Sequence, residues 1–269
     1  MDKRPIGVFD SGLGGLTAVK KLAELLPGED IIYLGDTGRI PYGTRSRETI
    51  VKYAFQDAAF LAGHNIKAMV IACNTVCSVA FTALKNEYKM PIYEVVNAPA
   101  KTAAELTKTG KVGVIGTAAT IRSNAYETAL KELNPELTVC SVSCPLFVPL
   151  VEEGWINDTD EAALKVANRY LEKLGKTGID TLILGCTHYP LLRGVISKIM
   201  GANVTLIDSG AETAKVAAKD LKTREILTGK ETGGIIKYFV TDSTEGFTNL
   251  ASRYLESDVE GKVEQVTLE

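Results

Sequence analysis

The chain has 269 residues, 30 Lys and Arg against 33 Asp and Glu for a formal net charge of −3, and 45% hydrophobic content. That length admits one large domain or two modest ones, and the apolar content excludes a disordered chain. Near-balanced charge offers no basic stripe to a phosphate backbone, so no nucleic-acid partner is expected.

Met1-Asp2-Lys3-Arg4-Pro5 runs directly into an apolar stretch, without the long apolar segment and small-residue cleavage site of an export signal. The longest weakly polar run, Ala68 to Leu84, is broken by Asn74, Thr75 and Ser78. It falls short of the roughly 20 apolar residues a membrane helix needs, so no membrane partner is expected. Five cysteines, an odd number, in a chain without such a signal point to a reducing, cytoplasmic location.

In chain order, a strand is predicted over Ile6–Phe9, then a glycine-rich loop and a helix over Leu16–Leu26. Strands at Ile31–Leu34 and Ala68–Ala72 bracket a helix over Thr49–Ala62, and Val76–Tyr88 is helical. Beyond these come strands at Val112–Ile115, Leu137–Val142, Thr181–Leu184 and Val204–Ile207, with helices over Ala125–Leu133 and Glu161–Leu174. Continuous apolar strands alternating with amphipathic helices give an α/β fold of parallel sheets covered on both faces.

The two halves also echo each other. Gly7-Val8-Phe9-Asp10-Ser11 resembles Gly113-Val114-Ile115-Gly116-Thr117, and Ile40-Pro41 resembles Val148-Pro149. Met69-Val70-Ile71-Ala72-Cys73-Asn74-Thr75 resembles Leu182-Ile183-Leu184-Gly185-Cys186-Thr187-His188, with cysteine in the same place. Three matches in one order indicate two pseudo-symmetric lobes, each a parallel sheet flanked by helices, with the active site in the cleft between them. Asn97-Ala98-Pro99 is read as the first crossing and Ile207-Asp208-Ser209-Gly210 as the return. The first lobe is then 1–97 plus 208–269, and the second is 98–207.

Ligands of parallel sheets bind at the carboxyl ends of the strands. Four predicted strands end in polar or reactive groups there: Asp10-Ser11, Cys73-Asn74-Thr75, Thr117 and Cys186-Thr187-His188. Each is read as standing at the start of the next helix, whose free N–H groups bind carboxylates and favour a thiolate. Two opposed thiols suit a disulfide couple, although such pairs usually lie close as Cys-x-x-Cys. They also suit proton transfer on both faces of one carbon, one thiol as base and the other as acid.

Other residues read as structural. Cys77, Cys140 and Cys144 are core thiols, since the Cys-x-x-x-Cys spacings and the scarcity of histidine do not make a zinc site. His64 follows Gly63 as a helix-end cap, and Asp208 is an N-cap. Thr17 replaces the third glycine of a dinucleotide fingerprint, and Asp36 leads into a loop assigned to the cleft. Asp10 is read as functional rather than as a cap, because Gly12, Gly14 and Gly15 let the backbone approach a ligand.

Asp10-Ser11-Gly12-Leu13-Gly14-Gly15, Pro41-Tyr42-Gly43, Cys73-Asn74-Thr75 and Gly185-Cys186-Thr187-His188-Tyr189-Pro190-Leu191-Leu192 together closely resemble the cofactor-independent glutamate racemases of bacteria. The resemblance covers residues 6 to about 215, with further agreement from Pro145 to Gly154. It implies that Cys73 handles the α-proton of D-glutamate and Cys186 that of L-glutamate, with Asp10 and His188 assisting. It implies substrate binding by Asp10, Ser11, Tyr42, Gly43, Asn74, Thr75, Thr187 and His188, largely through hydroxyl, amide and backbone donors. Glu152 matches an acidic residue near the site, and Thr117 is a further auxiliary candidate. The resemblance implies no cofactor and no metal, a homodimer, and D-glutamate made for peptidoglycan and hence cell shape. His188 favours glutamate, because related aspartate racemases tend to carry Thr-Glu after the second cysteine. A two-lobed carboxylate-binding protein and a single-cysteine decarboxylase are the alternatives, and both are opposed by the matched thiols.

Overall fold

The structure is a computed structural model that describes residues 1–255, 259 and 261–268. Among the described residues the strands are β1 (Ile6–Asp10), β2 (Ile31–Gly35), β3 (Ala68–Ile71), β4 (Ile92–Glu94), β5 (Lys111–Gly116), β6 (Thr138–Ser143), β7 (Thr181–Gly185), β8 (Thr205–Asp208), β9 (Ile236–Val240) and β10 (Val263–Gln265). The crossovers carry α1 (Leu16–Leu25), α2 (Arg47–Gly63), α3 (Asn74–Glu87), α4 (Asn97–Leu106), α5 (Ala118–Arg122), α6 (Ala125–Leu133), α7 (Phe147–Glu152), α8 (Glu161–Gly175), α9 (Arg193–Met200), α10 (Ser209–Thr223) and α11 (Thr244–Leu255).

One sheet runs β10-β9-β2-β1-β3-β4 and the other β6-β5-β7-β8, and each strand pairs parallel with its neighbours. The order β2-β1-β3-β4 repeats as β6-β5-β7-β8, so the sequence echo is an echo of topology. Register agrees: Gly7 faces Met69 in the first sheet, and Gly113 faces Leu182 in the second. β9 and β10 extend the first sheet beyond β2, while β8 closes the second.

Local chemistry sets the helix starts. Ser46 accepts the Thr49 N–H at the head of α2, Asp160 accepts those of Ala162 and Ala163 at α8, and Asp208 accepts that of Ala211 at α10. His64 closes α2, its Nδ1 lying 2.9 Å from the Phe60 carbonyl oxygen. α4 begins at Asn97, where the sequence reading had only a crossing. Pro99 sits in its first turn, where the missing N–H would have no partner anyway. The crossing is therefore itself helical.

Alternate strand residues point to opposite faces, and the buried side chains sort into two apolar layers. One gathers Ile6, Val8, Leu16 and Leu22 with Leu171, Leu182 and Leu184. The other gathers Phe9, Ile71 and Val76 with Val112, Leu130 and Ile183. Each layer passes through both sheets, so neither half has a core of its own. Among the described residues no helix is long and apolar enough to cross a membrane.

Continuous layers make unfolding cooperative across the two sheets. The single tryptophan, Trp155, reports on the second sheet's side of the molecule. Its fluorescence and the far-UV circular dichroism of the whole chain should therefore change in one coincident thermal transition. Two separated transitions would show that the halves are independent units.

Candidate active site

β1 and β3 are central neighbours from which the chain departs toward opposite sides, leaving a crevice at their carboxyl ends. β5 and β7 form the equivalent crevice in the second sheet. Between the two lies a cavity of about 430 Å³, within the range of small-molecule sites. Cys73 and Cys186, one from each sheet, both line it, and both are free thiols. Ser11, Tyr42, Gly43, Asn74, Thr75, Thr117, Glu152, Thr187 and His188 line it as well.

Asp10 does not line the cavity. It stands behind the wall, fully buried, where its carboxylate accepts the Gly12 N–H at 3.1 Å and the Thr187 hydroxyl at 3.4 Å. Asp36 is also set back: the Ile40 to Thr44 part of its loop lines the cavity, while its own carboxylate is buried behind. The sequence reading missed Ile40, Thr44, Ala118, Pro145, Val148 and Pro149, which complete the walls. Ile40-Pro41 and Val148-Pro149, the internal echo in the sequence, are apolar parts of the cavity wall.

The glycine loop serves a different purpose from the one read in the sequence. A Cβ on Gly14 would lie 2.2 Å from Thr187 Oγ1 and 2.7 Å from His188 Nδ1. The bare backbone thus lets the Thr187-His188 loop of the second sheet approach the first sheet. Gly43 does the same on the other side, where a Cβ would meet Thr117 Cβ at 2.9 Å.

The two thiols have different surroundings. Cys73 is the N-cap of α3, as expected, and its thiol donates to Ser11 Oγ at 3.5 Å. Cys186 is not at an α-helix start. It lies in a loop leading to a 3₁₀ turn over Tyr189–Leu192, with α9 beginning only at Arg193. The polar partner there is His188, whose Nδ1 is 4.0 Å from Cys186 Sγ and whose Nε2 is 3.2 Å from Glu152 Oε1. Asp10-Ser11 likewise precede α1 by several residues, so the helix-start reading holds for Cys73 and Thr117 only.

The remaining polar groups are tightly held. Thr75 and Thr117 hydroxyls lie 3.0 Å apart and bring the two sheets together. The Asn74 amide donates to Tyr126 Oη at 2.7 Å and toward the Val95 carbonyl and Ser209 Oγ at 3.3 Å. Its N–H groups are spent on the protein, and its Oδ1 is a buried acceptor without a partner among the described residues. What Asn74 can offer through its side chain is an acceptor, not the amide donor expected. Among the described residues neither Lys nor Arg lines the cavity.

Burial, reinforced by the Asp10 charge, pushes the Cys73 thiol up to about 12, against the pull of Ser11 and nearby N–H groups. For His188, burial pulls downward, but contacts with Cys186 and Glu152 and the Asp10 charge outweigh it and hold the imidazole at about 10. Burial also raises Asp10, and the His188 charge and the Gly15 and Gly12 N–H groups pull it back. These surroundings favour a Cys73 thiol and a His188 imidazolium at neutral pH.

The sequence pattern of the family described as Asp/Glu/Hydantoin racemase matches residues 6–217. The chain belongs to that family. Within it, a glutamate racemase of Geobacter metallireducens is 47% identical over 269 residues, covering 100% of this chain and 98% of its own. The crystal structure of glutamate racemase isoform RacE1 from Bacillus anthracis superposes with a TM-score of 0.95 at 40% identity, covering 100% of this chain and 99% of that one. A glutamate racemase from Francisella tularensis, solved in complex with D-glutamate, gives 0.93 at 40% identity over 100% and 99% of the two chains. This racemase-family chain therefore shares its whole length with these relatives. Among its described residues no cluster of His, Cys, Asp and Glu is arranged to hold a metal ion.

Because the thiolate is the nucleophile toward alkylating agents, the Cys73 value sets a pH signature. Iodoacetamide labelling of Cys73, followed by peptide mass spectrometry, should rise about tenfold per pH unit and keep rising beyond about pH 9, where an ordinary thiol levels off. A plateau near that ordinary value would show that burial and Asp10 do not hold the proton on Cys73.

Proposed function

We propose that this chain interconverts L- and D-glutamate by two-base proton transfer. The observation that carries the reading is the pair of free thiols, from equivalent strand ends of the two sheets, on one small cavity. Cys73 serves the D face and Cys186 the L face: the thiolate on one side removes the α-proton while the thiol on the other delivers one. Each direction ends with the two roles exchanged, which is why a matched pair is needed.

With no Lys or Arg lining the cavity among the described residues, the substrate carboxylates are held by neutral donors. The first N–H groups of α3, the Thr75, Thr117 and Ser11 hydroxyls and the Tyr42-Gly43 turn are the groups available for this, the Thr187 hydroxyl proton being given to Asp10. The Asn74 Oδ1, a buried acceptor without a partner, suits the α-ammonium. Asp10 and His188 assist their neighbouring thiols, and Glu152 orients His188. The lobes divide at 97/98 and 207/208, a reading supported by the membership of β9 and β10 in the first sheet. By family likeness, we further assign a cytoplasmic homodimer whose D-glutamate feeds peptidoglycan synthesis and so cell shape.

Polarimetry on chelator-dialysed, cofactor-free protein tests the activity: L- and D-glutamate should each converge on the racemate. Cys73→Ala and Cys186→Ala should each lower racemisation at least about 10²-fold, the lower end of a general acid–base contribution. Elimination from an analogue with a β-carbon leaving group needs only one base. It should survive on the L analogue in Cys73→Ala and on the D analogue in Cys186→Ala. Equal, modest losses in both variants would favour a carboxylate-binding protein instead.

A further inference from the structure

Behind the Tyr42-Gly43 turn lies a buried polar cluster that proton transfer does not use. Asp36 and Asp57 are both fully buried. The Arg39 guanidinium spans them, with Nε 2.6 Å from Asp36 Oδ2 and Nη2 3.1 Å from Asp57 Oδ1. It also donates to Gln56 Oε1 at 2.6 Å and lies 4.1 Å from the centre of the Tyr53 ring. The Tyr42 phenol oxygen contacts Asp36 Oδ2 closely and lies 3.1 Å from Asp57 Oδ2. The Thr241 hydroxyl, which accepts the Gly38 N–H, donates to Asp36 Oδ1 at 2.7 Å.

Counting hydrogens leaves one missing. The phenol has a single proton but two carboxyl oxygens within hydrogen-bonding distance. Asp36 is the better-served carboxylate, with donors from Arg39, Tyr42 and Thr241, so the phenol proton belongs to it. The Tyr42 to Asp57 contact then needs a proton from Asp57. From this geometry, and resting on the racemase reading above for its kinetic consequence, we propose that Asp57 is a positioning residue. It is a neutral carboxylic acid that donates to the Tyr42 phenol and fixes the Pro41-Tyr42-Gly43 turn against the substrate cavity.

The charges agree with the hydrogen count. With both carboxylates ionised, two buried negative charges would share one guanidinium, a costly arrangement. The titratable groups facing Asp57 are Asp36, Arg39 and Tyr42 from the loop and, farther off, Asp10 at the end of β1. Burial and Asp36 push Asp57 well above the usual carboxylate range, Asp10 adds to the push, and Arg39 pulls back, as would a phenol proton given to Asp57 rather than to Asp36. Residues Ile40 to Thr44 line the cavity, so a turn that loses this anchor spends less time in its binding-competent position. Apparent affinity falls by that fraction, while the chemical step is untouched.

Infrared spectra of the full chain labelled with ¹³C-aspartate test the proton directly, and kinetics with both glutamate enantiomers test the anchoring. A protonated-carboxyl C=O band at neutral pH should disappear in Asp57→Asn. The Asn amide can still donate to Tyr42, so KM should stay within about threefold of the parent, whereas Asp57→Leu should raise KM about tenfold with kcat little changed, as for one lost buried hydrogen bond. Should Asp57→Leu not fold, Tyr42→Phe supplies the second readout, because losing the acceptor shifts the Asp57 band. No band lost in Asp57→Asn, no shift in Tyr42→Phe, or an Asn variant as impaired as Leu would overturn the assignment. A parent protein that does not turn over glutamate would fail the racemase reading alone, since the band decides the Asp57 proton without activity.

Discussion

The carboxylate of Asp10 is shut away from water with no lysine or arginine against it among the described residues. Its hydrogen-bond donors are the Gly12 and Gly15 N–H groups of its own loop and the Thr187 hydroxyl of the other sheet. This single buried charge acts on both banks of the cavity. It helps hold the proton on Cys73, and it helps hold one on His188 beside Cys186. The arrangement exists only because the sheets come close: Gly14 has no Cβ where Thr187 and His188 pass. A side chain at Gly14 would move the His188 loop away and break the link between Asp10 and the second thiol. The glycine loop is therefore a spacer between halves of the molecule, and the electrostatics of the cavity follow from that spacing.

The two banks are alike in topology and unlike in chemistry. Each thiol follows the third strand of a repeated order, so duplication explains why there are two. On the Cys73 side the chain enters a 14-residue helix at once, giving backbone N–H groups and an aligned dipole. On the Cys186 side Pro190 and a 3₁₀ turn intervene, and His188 with Glu152 stands where the helix would have been. A dipole is permanent and carries no proton, whereas an imidazolium can give one up. Equivalent positions are thus flanked by two different polar devices, a helix N-terminus beside Cys73 and a histidine–carboxylate pair beside Cys186.

Much of this was legible in the sequence because it lies in continuous apolar strands with reactive residues at their ends. The central strands, the paired cysteines and the echo between halves all came from that pattern. β4 and β10 escaped because each has three residues, and Val263-Glu264-Gln265 is polar, as an exposed sheet edge tends to be. α4 and α7 escaped because Pro99 and Pro149 fall within their first turns and read as breaks. The role of Gly14, the withdrawn position of Asp10 and the amide orientation of Asn74 were illegible for a different reason. Each depends on residues far away in the chain, such as Thr187, His188 and Tyr126, whose approach no local pattern encodes.

The continuity of the apolar layers bears on how such a cavity can work. If each half had its own core, the cleft could open widely, and the substrate would be desolvated only on closure. Here Phe9 and Ile71 pack in the same layer as Val114 and Ile183, and Thr75 meets Thr117 across the junction. A buried junction of this kind resists wide opening, because separating it exposes apolar surface at roughly 25 cal/mol per Å². Access to the cavity must then come from the rim rather than from the junction. The rim includes the Ile40–Thr44 turn and the Pro145–Glu152 segment, both loop or short-helix structure outside the strands. Both are fastened: the turn at its base through Tyr42, Arg39 and the buried Asp36–Asp57 pair, the opposite wall through Phe147, Leu150 and Val151, which are buried in the apolar layer. That packing is what holds Glu152 against the His188 imidazole beside Cys186, so the polar chemistry of the second bank rests on the burial of one short helix.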